Sequence, residues 1–276
     1  MATTKNAAAP AKKSGFKGIK NAIWILVICG VVAYTFYFKV LGAPENFAGN
    51  DPTGHPLNLM GTVYKGGFVV GLILTLLLSV ICLGVERFFA LRAAFGTMSI
   101  GKFTIQVKEY IKAGKFDEAI ALCNKMKGSV ANVVLASITA YKDAEANNTL
   151  KKAQKIAKIQ QAHEEATQLE MPTLQMNLPI VATIVTLGTL TALFGTVLGM
   201  IGSFQALAAG GGGDSLALSM GISEALVNTA SGIATSWVAV VAYNTYTNKI
   251  DKLTYALDEV GYTIAQTYEA NHTEEA

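Results

Sequence analysis

LPIVATIVTLGTLTALFGTVLGMIGSFQALAAGGGGDSLALSMGISEALVNTASGIATSWVAVVAYNTYT, residues 178–247, holds seventy residues and two charges, Asp214 and Glu224. Two long apolar runs flank the glycines at 210–213, so the stretch reads as a helical hairpin with a glycine turn. Asp214 is expected to cap the second helix or to shape the turn. Each run exceeds the ~20 apolar residues that cross ~30 Å of hydrocarbon. Glu224 lies inside the second run. An ionisable group is expensive in hydrocarbon and usually faces a protein interior or a water path. The hairpin is therefore the expected functional core, and ion movement is the first function to consider.

Composition points the same way. The 276 residues are 51% hydrophobic and 15% charged, against about 25% charged in soluble domains. The expected fold class is an all-α integral membrane protein with four transmembrane helices and long cytoplasmic helical extensions. Its parts are a basic cytoplasmic N-terminus (1–22), transmembrane helix one (23–40), an outer loop (41–65), helix two (66–92) and a cytoplasmic helical domain (93–177). Helix three (178–209), an outer turn (210–215), helix four (216–247) and a cytoplasmic tail (248–276) follow. Span one is short, and its flank of Lys12, Lys13, Lys17 and Lys20 resembles a signal-peptide n-region; without a convincing cleavage site it is read as an uncleaved helix. These lysines with Lys5, then Arg87 and Arg92, then Lys249 and Lys252, put both termini inside by the positive-inside bias. A net charge of +3 gives nucleic-acid binding no support.

Inside the cytoplasmic insertion, 100–126 reads as a helical pair broken at Gly114, 129–141 as a short helix, and 147–169 as a long polar helix. Pro172 and Pro179 are expected to mark the entry to span three. His163, Glu164 and Glu165 read as a solvated face. Glu86 and Arg87 are expected to snorkel or to pair locally. Cys29, Cys82 and Cys123 form no metal or disulfide pattern and read as reduced packing residues.

Helical periodicity divides the hairpin into faces. On span four, Glu224, Asn228, Ser231 and Thr235 form one polar stripe, which needs a wet or protein-lined neighbour. Gly221, Ala225, Thr229, Gly232 and Ser236 make an adjoining small-residue face. Ile222, Leu226, Ile233, Trp237, Val240 and Val241 suit lipid or apolar helices. On span three, Gly188, Gly195 and Gly202 repeat every seven residues and, with Gly199, make a close-packing seam. Thr189, Thr196 and Ser203 repeat beside it; their hydroxyls either line a pore or bond back to the carbonyl four residues earlier. The glycine run lacks the Lys-Ser or Lys-Thr of a nucleotide loop. No metal cluster, cofactor motif or catalytic triad appears, so the chain reads as a non-enzyme with no cofactor.

LFGTVLGMIGSFQALA (193–208) and GISEALVNTASGIATSWVAVVAYN (221–244) closely resemble the MotA/TolQ/ExbB proton channel family. The most specific matches are GTVLGM and GISEAL with its later Thr229, Ala230 and Gly232. Weaker similarity reaches back through KFDEAIALC (115–123) and Glu86–Arg87, about two-thirds of the chain in all. The resemblance is nearer to ExbB and TolQ than to the flagellar stator protein. It implies an inner-membrane pentamer whose third and fourth spans line a cavity. That cavity would hold a dimer of a single-span ExbD-like partner whose membrane Asp carries the proton. The output would reach a TonB-like protein. Thr196 and Thr229 match the family's pore threonines and Glu224 its pore glutamate; Thr189, Asn228, Ser231 and Thr235 join them as pathway candidates. Gly188, Gly195, Gly199, Gly202, Gly221 and Gly232 are the expected packing positions between copies. Thr229 lies about 140° from Glu224 on a straight helix, so the two cannot face one point. Thr189 and Ala192 stand where many members have Pro and Gly, which leaves the bend of span three open. The competing readings are a TolQ-like envelope-integrity subunit and a passive membrane scaffold, against which the aligned polar stripe argues.

Overall fold

The computed structural model describes residues 22–52, 54–209 and 215–272. Asp214, the glycine turn and the N-terminal lysines lie outside the described residues. Nine α-helices follow in order: α1 (Ala22–Phe36), α2 (Leu59–Tyr64), α3 (Phe68–Ala94), α4 (Ile100–Lys112), α5 (Phe116–Met126), α6 (Ser129–Ala146), α7 (Lys152–Gln175), α8 (Leu178–Ala209) and α9 (Ser215–Asn271) among the described residues. Among the described residues, four segments are long and apolar enough to cross a membrane: Ala22–Leu41, Phe68–Ala94, Leu178–Ala208 and Leu216–Asn271. At 1.5 Å per residue α9 is about 85 Å long, so hydrocarbon ~30 Å thick can hold only part of it.

The chain divides into two compact units, with boundaries at 86/87, 176/177 and 245/246. The unit containing residues 22–86 and 177–245 is the apolar one. Val80 and Leu83 of α3 pack with Val181 and Ile184 of α8, Ala239 of α9 and Ala22 of α1. Its outer face is bare hydrocarbon: Ile23 is 70%, Leu193 60% and Trp237 75% exposed, as lipid or another copy would require. The loop between α1 and α3 carries one more helix than its polarity suggests. Asn58 caps α2, its side chain accepting the Gly61 amide at 2.9 Å.

The other unit, residues 87–176 and 246–272, is a soluble-type helical bundle. Phe103, Val107 and Ile111 face inward from α4, with Ala119, Cys123 and Met126 from α5, Val130, Val134, Ile138 and Tyr141 from α6, and Leu253, Leu257, Val260 and Ile264 from α9. The expected break at Gly114 holds, in the left-handed region at φ 72°. Burial pushes the Cys123 thiol up to about 12, which keeps it protonated.

Three local expectations are corrected here. His163 is buried rather than solvated: its Nδ1 lies 2.9 Å from Ser137 Oγ, and the ring packs against the bare backbone of Gly261. Ser137 donates to the Val133 carbonyl, so His163 Nδ1–H is the donor to Ser137 and Nε2 is left without a partner. Glu164 and Glu165 are exposed as expected. Of the two readings of Glu86–Arg87, snorkelling is the one that fails: Arg87 is fully buried and donates to the Thr173 carbonyl at 3.3 Å. Glu86 is also buried, accepting from Asn177 Nδ2 at 3.3 Å. Pro172 does not end α7, which runs to Gln175; the break falls at Asn177, whose φ of 64° Asn tolerates better than most residues.

Candidate functional site

The α8–α9 hairpin closes on small residues. A Cβ added at Gly188 would lie 2.6 Å from Ser236 Oγ, at Gly195 2.6 Å from the Asn228 amide carbon, and at Gly199 2.8 Å from the Gly221 carbonyl oxygen. Gly221 meets Ser203, and Gly232 meets Ala192 and the Gly188 carbonyl, just as closely. The seam therefore faces the other helix of the same hairpin, because only missing side chains let two backbones come this near. Gly202 is the exception: it is exposed and nothing lies within 4 Å of an added Cβ. A contact between copies, expected of all six glycines, is sterically open only there.

That close approach brings hydroxyls together in a fixed antiparallel register. Thr196 Oγ1 lies 2.6 Å from Thr229 Oγ1, and Thr189 Oγ1 lies 2.9 Å from Ser236 Oγ. The two pairs are seven residues apart on each helix. Thr196 also bonds back to the Ala192 carbonyl at 2.9 Å, and Thr229 to the Ala225 carbonyl at 3.1 Å. Of the two alternatives left open by the sequence, the back-bond is present at Thr196 and Ser203, and Thr196 and Thr189 each also meet a hydroxyl on the facing helix. Thr196 Oγ1 also lies 3.4 Å from the Ala225 carbonyl, so two hydroxyl protons serve four contacts; the pair can exchange which contacts it leaves unmade, and an oxygen stays ready to accept from a further group. Ser203, one heptad further, finds no hydroxyl opposite; it donates to the Gly199 carbonyl at 3.0 Å. Ser236 belongs to this set and was not among the pathway candidates; its heptad step from Thr229 was the signal.

Glu224 looks elsewhere. Its carboxylate lies against Gly67, at the elbow between α2 and α3, where φ is +74° and any Cβ would strike Oε1. Asn228, one turn on, is fully buried and donates from Nδ2 to the Gly66 carbonyl at 2.9 Å, while its Oδ1 has no partner. Gly66 has no room either: an added Cβ would come 2.8 Å from Val227. The Gly66–Gly67 doublet is thus the seat on which α9 rests its polar stripe, and sequence periodicity within α9 gave no sign of it. Thr235 is fully buried and bonds the Ser231 carbonyl at 2.9 Å; Ser231 is half-buried. Asn228 and Thr235 therefore point into the protein rather than onto an open face. Glu224 borders a cavity of ≈ 530 Å³ together with His55 and Lys65 of the outer loop. Ile222, Leu226, Ile233, Trp237, Val240 and Val241 are all exposed, as the helical wheel requires.

The region that carries the hydroxyl pairs, the glycine-closed hairpin and the carboxylate of Glu224 is also the region that matches known proteins. Residues 131–259 match the MotA/TolQ/ExbB proton channel family. The match covers α6, α7 and the hairpin, a little under half of the chain and less than the two-thirds the motifs suggested; KFDEAIALC falls outside it. The chain is 32% identical over 114 residues to the Tol-Pal system protein TolQ of Pseudomonas aeruginosa, covering 41% of this chain and 47% of the relative. It is 34% identical over 87 residues to a biopolymer transport protein of Synechocystis named ExbB-like 3, covering 31% of this chain and 41% of the relative. The chain thus spans about half, or less, of the relatives it matches. The two relatives do not separate a TolQ type from an ExbB type.

Proposed function

We propose that the chain is the multi-span subunit of a proton-motive-force-driven motor in a bacterial cytoplasmic membrane, with both termini inside and an ExbB-like output to TonB-dependent outer-membrane transport. Several copies, five by family resemblance, line a ring with their α8–α9 hairpins. A dimer of a single-span ExbD-like partner stands in the ring and brings the proton-carrying Asp. The observation that supports this reading most is the Thr196–Thr229 hydroxyl pair at 2.6 Å, half-buried at the edge of a span that holds one carboxylate and no cation. Such a pair can accept a hydrogen bond from a partner's carboxylic acid without itself holding a charge.

The TolQ relative favours a second output, a Tol-Pal type envelope motor. The residue chemistry is common to both, and the partner decides. Native mass spectrometry of the detergent-purified complex, co-expressed in turn with an ExbD-like and a TolR-like protein, tests the reading. A ring of this chain holding fewer copies of one partner is expected. Equal copies, or a chain that binds neither, would favour a scaffold.

A further inference from the structure

The loop between α1 and α3 lies outside the region matched to the proton channel family, yet it is built like a part rather than a tether. The buried Asn46 donates to the Val40 carbonyl at 2.7 Å and the Leu41 carbonyl at 3.0 Å, and its Oδ1 accepts Asn58 Nδ2 at 2.8 Å. Phe47 is 1% exposed. The Tyr37 hydroxyl donates to the Tyr64 carbonyl at 2.8 Å, and the two rings stack with centroids 4.8 Å apart. This order fixes one wall of the cavity at Glu224. His55 and Lys65 stand on that wall, Gly202 on the α8 side, and Ser219 and Ser223 beside Glu224 on α9. At ≈ 530 Å³ the space takes several waters, each needing about 30 Å³ in the liquid, and its side chains offer them polar partners.

We propose that this cavity is a water-filled vestibule through which protons pass between the loop side of the membrane and Glu224, inside a single copy of the chain, and that the outer loop serves to wall it. The inference rests on the reading that Glu224 takes part in proton coupling. A hydronium ion in the vestibule gives one proton to the Glu224 carboxylate, leaving a water and a neutral carboxyl group; the reverse step returns the proton. Gly67 is the positioning residue, since only a bare backbone at φ +74° leaves space for the carboxylate.

The test uses the full chain with its single-span partner in sealed vesicles, and a membrane-impermeant cationic methanethiosulfonate added on the loop side. Ser223→Cys and Ser219→Cys are the reporters; the unsubstituted chain is the background, because Cys29 and Cys123 are buried and Cys82 half-buried. Both reporters are expected to react at least tenfold faster than background. His55→Trp, and separately Gly202→Trp, whose Cβ meets nothing within 4 Å, are expected to slow them at least tenfold. Unreactive reporters in a chain that still holds its partner, or rates that neither tryptophan moves, overturn the vestibule. Glu224→Gln is assayed alongside for proton-driven activity. Normal activity there refutes the coupling role on which the vestibule rests, whereas lost activity with unreactive reporters refutes the vestibule alone.

Discussion

Replacing Thr196 by Val keeps the side-chain shape and removes one hydroxyl. The structure sets the size of the stability effect. Thr229 loses its 2.6 Å partner but keeps the Ala225 carbonyl at 3.1 Å, and the Ala192 carbonyl that Thr196 served is already an intrahelical acceptor. No polar group is stranded, so the cost is one interhelical hydrogen bond in a membrane protein, about 0.6 kcal/mol and at most about 1.7. A double-mutant cycle of Thr196→Val and Thr229→Val, read by denaturant titration in detergent, is expected to give a coupling energy in that range. Proton-driven activity in cells, whether uptake or envelope integrity, is expected to fall more than tenfold in each single variant, which is about 1.4 kcal/mol or more on the rate-limiting step. Thr196→Ser, which retains the hydroxyl, should keep most of it. The loss of function thus exceeds the average stability cost of about 0.6 kcal/mol. Full activity in both valine variants, or a fall no larger than their destabilisation explains, would refute a role for the pair in the proton path.

Three further outcomes follow from the packing. Gly195→Leu places a branched side chain where a single Cβ already lies 2.6 Å from Asn228; it should destabilise the hairpin by about 3 kcal/mol or more, whereas Gly202→Leu should leave thermal melting of the detergent-solubilised chain within about 0.5 kcal/mol of the original. Equal effects of the two would contradict the seam's assignment to the hairpin. Gly67→Ala forces a side chain into the left-handed region and against Glu224, and should cost about 1–2 kcal/mol from the backbone alone, read by the same melting experiment. Burial holds His163 below its usual value of 6.5, despite the opposing pull of Asp258 and Glu164. The folded bundle therefore binds that proton less readily than the unfolded chain, so its stability is complete above about pH 6.5 and falls as pH drops toward the lowered value. Hydrogen exchange of α6 and α7 should be faster at pH 5.5 than at 7.5 after correction for intrinsic rates, and His163→Gln should remove most of the difference; an unchanged difference would place its origin elsewhere.

The hairpin was legible because periodicity is local: the heptads of glycine and threonine, the lone Glu224 and the apolar arc of α9 all follow from spacing along one helix. What covers each face was not. The spacing of Gly188 and Gly195 is the same whether the surface opposite is another copy or α9 of the same chain, and only the structure distinguishes them. Glu224 and Asn228 rest on Gly66 and Gly67, more than 150 residues earlier in the chain. His163 sits among polar neighbours on α7, and the residues that make room for it, Ser137 and Gly261, lie on α6 and α9. The α2 helix was missed because six residues carry too little periodicity, although Asn58 ahead of Leu59 was a capping signal.

The central claim is that the hairpin couples to protons through Glu224 only in company with a partner that supplies the carrier acid. Proton flux into liposomes under an imposed potential, followed with a trapped pH-sensitive dye, tests it most directly. The chain reconstituted with its single-span partner should conduct. The chain alone, and the complex carrying Glu224→Gln, should fall to near the rate of empty liposomes. Strong flux through the chain alone, or undiminished flux in the Glu224→Gln complex, would contradict the account.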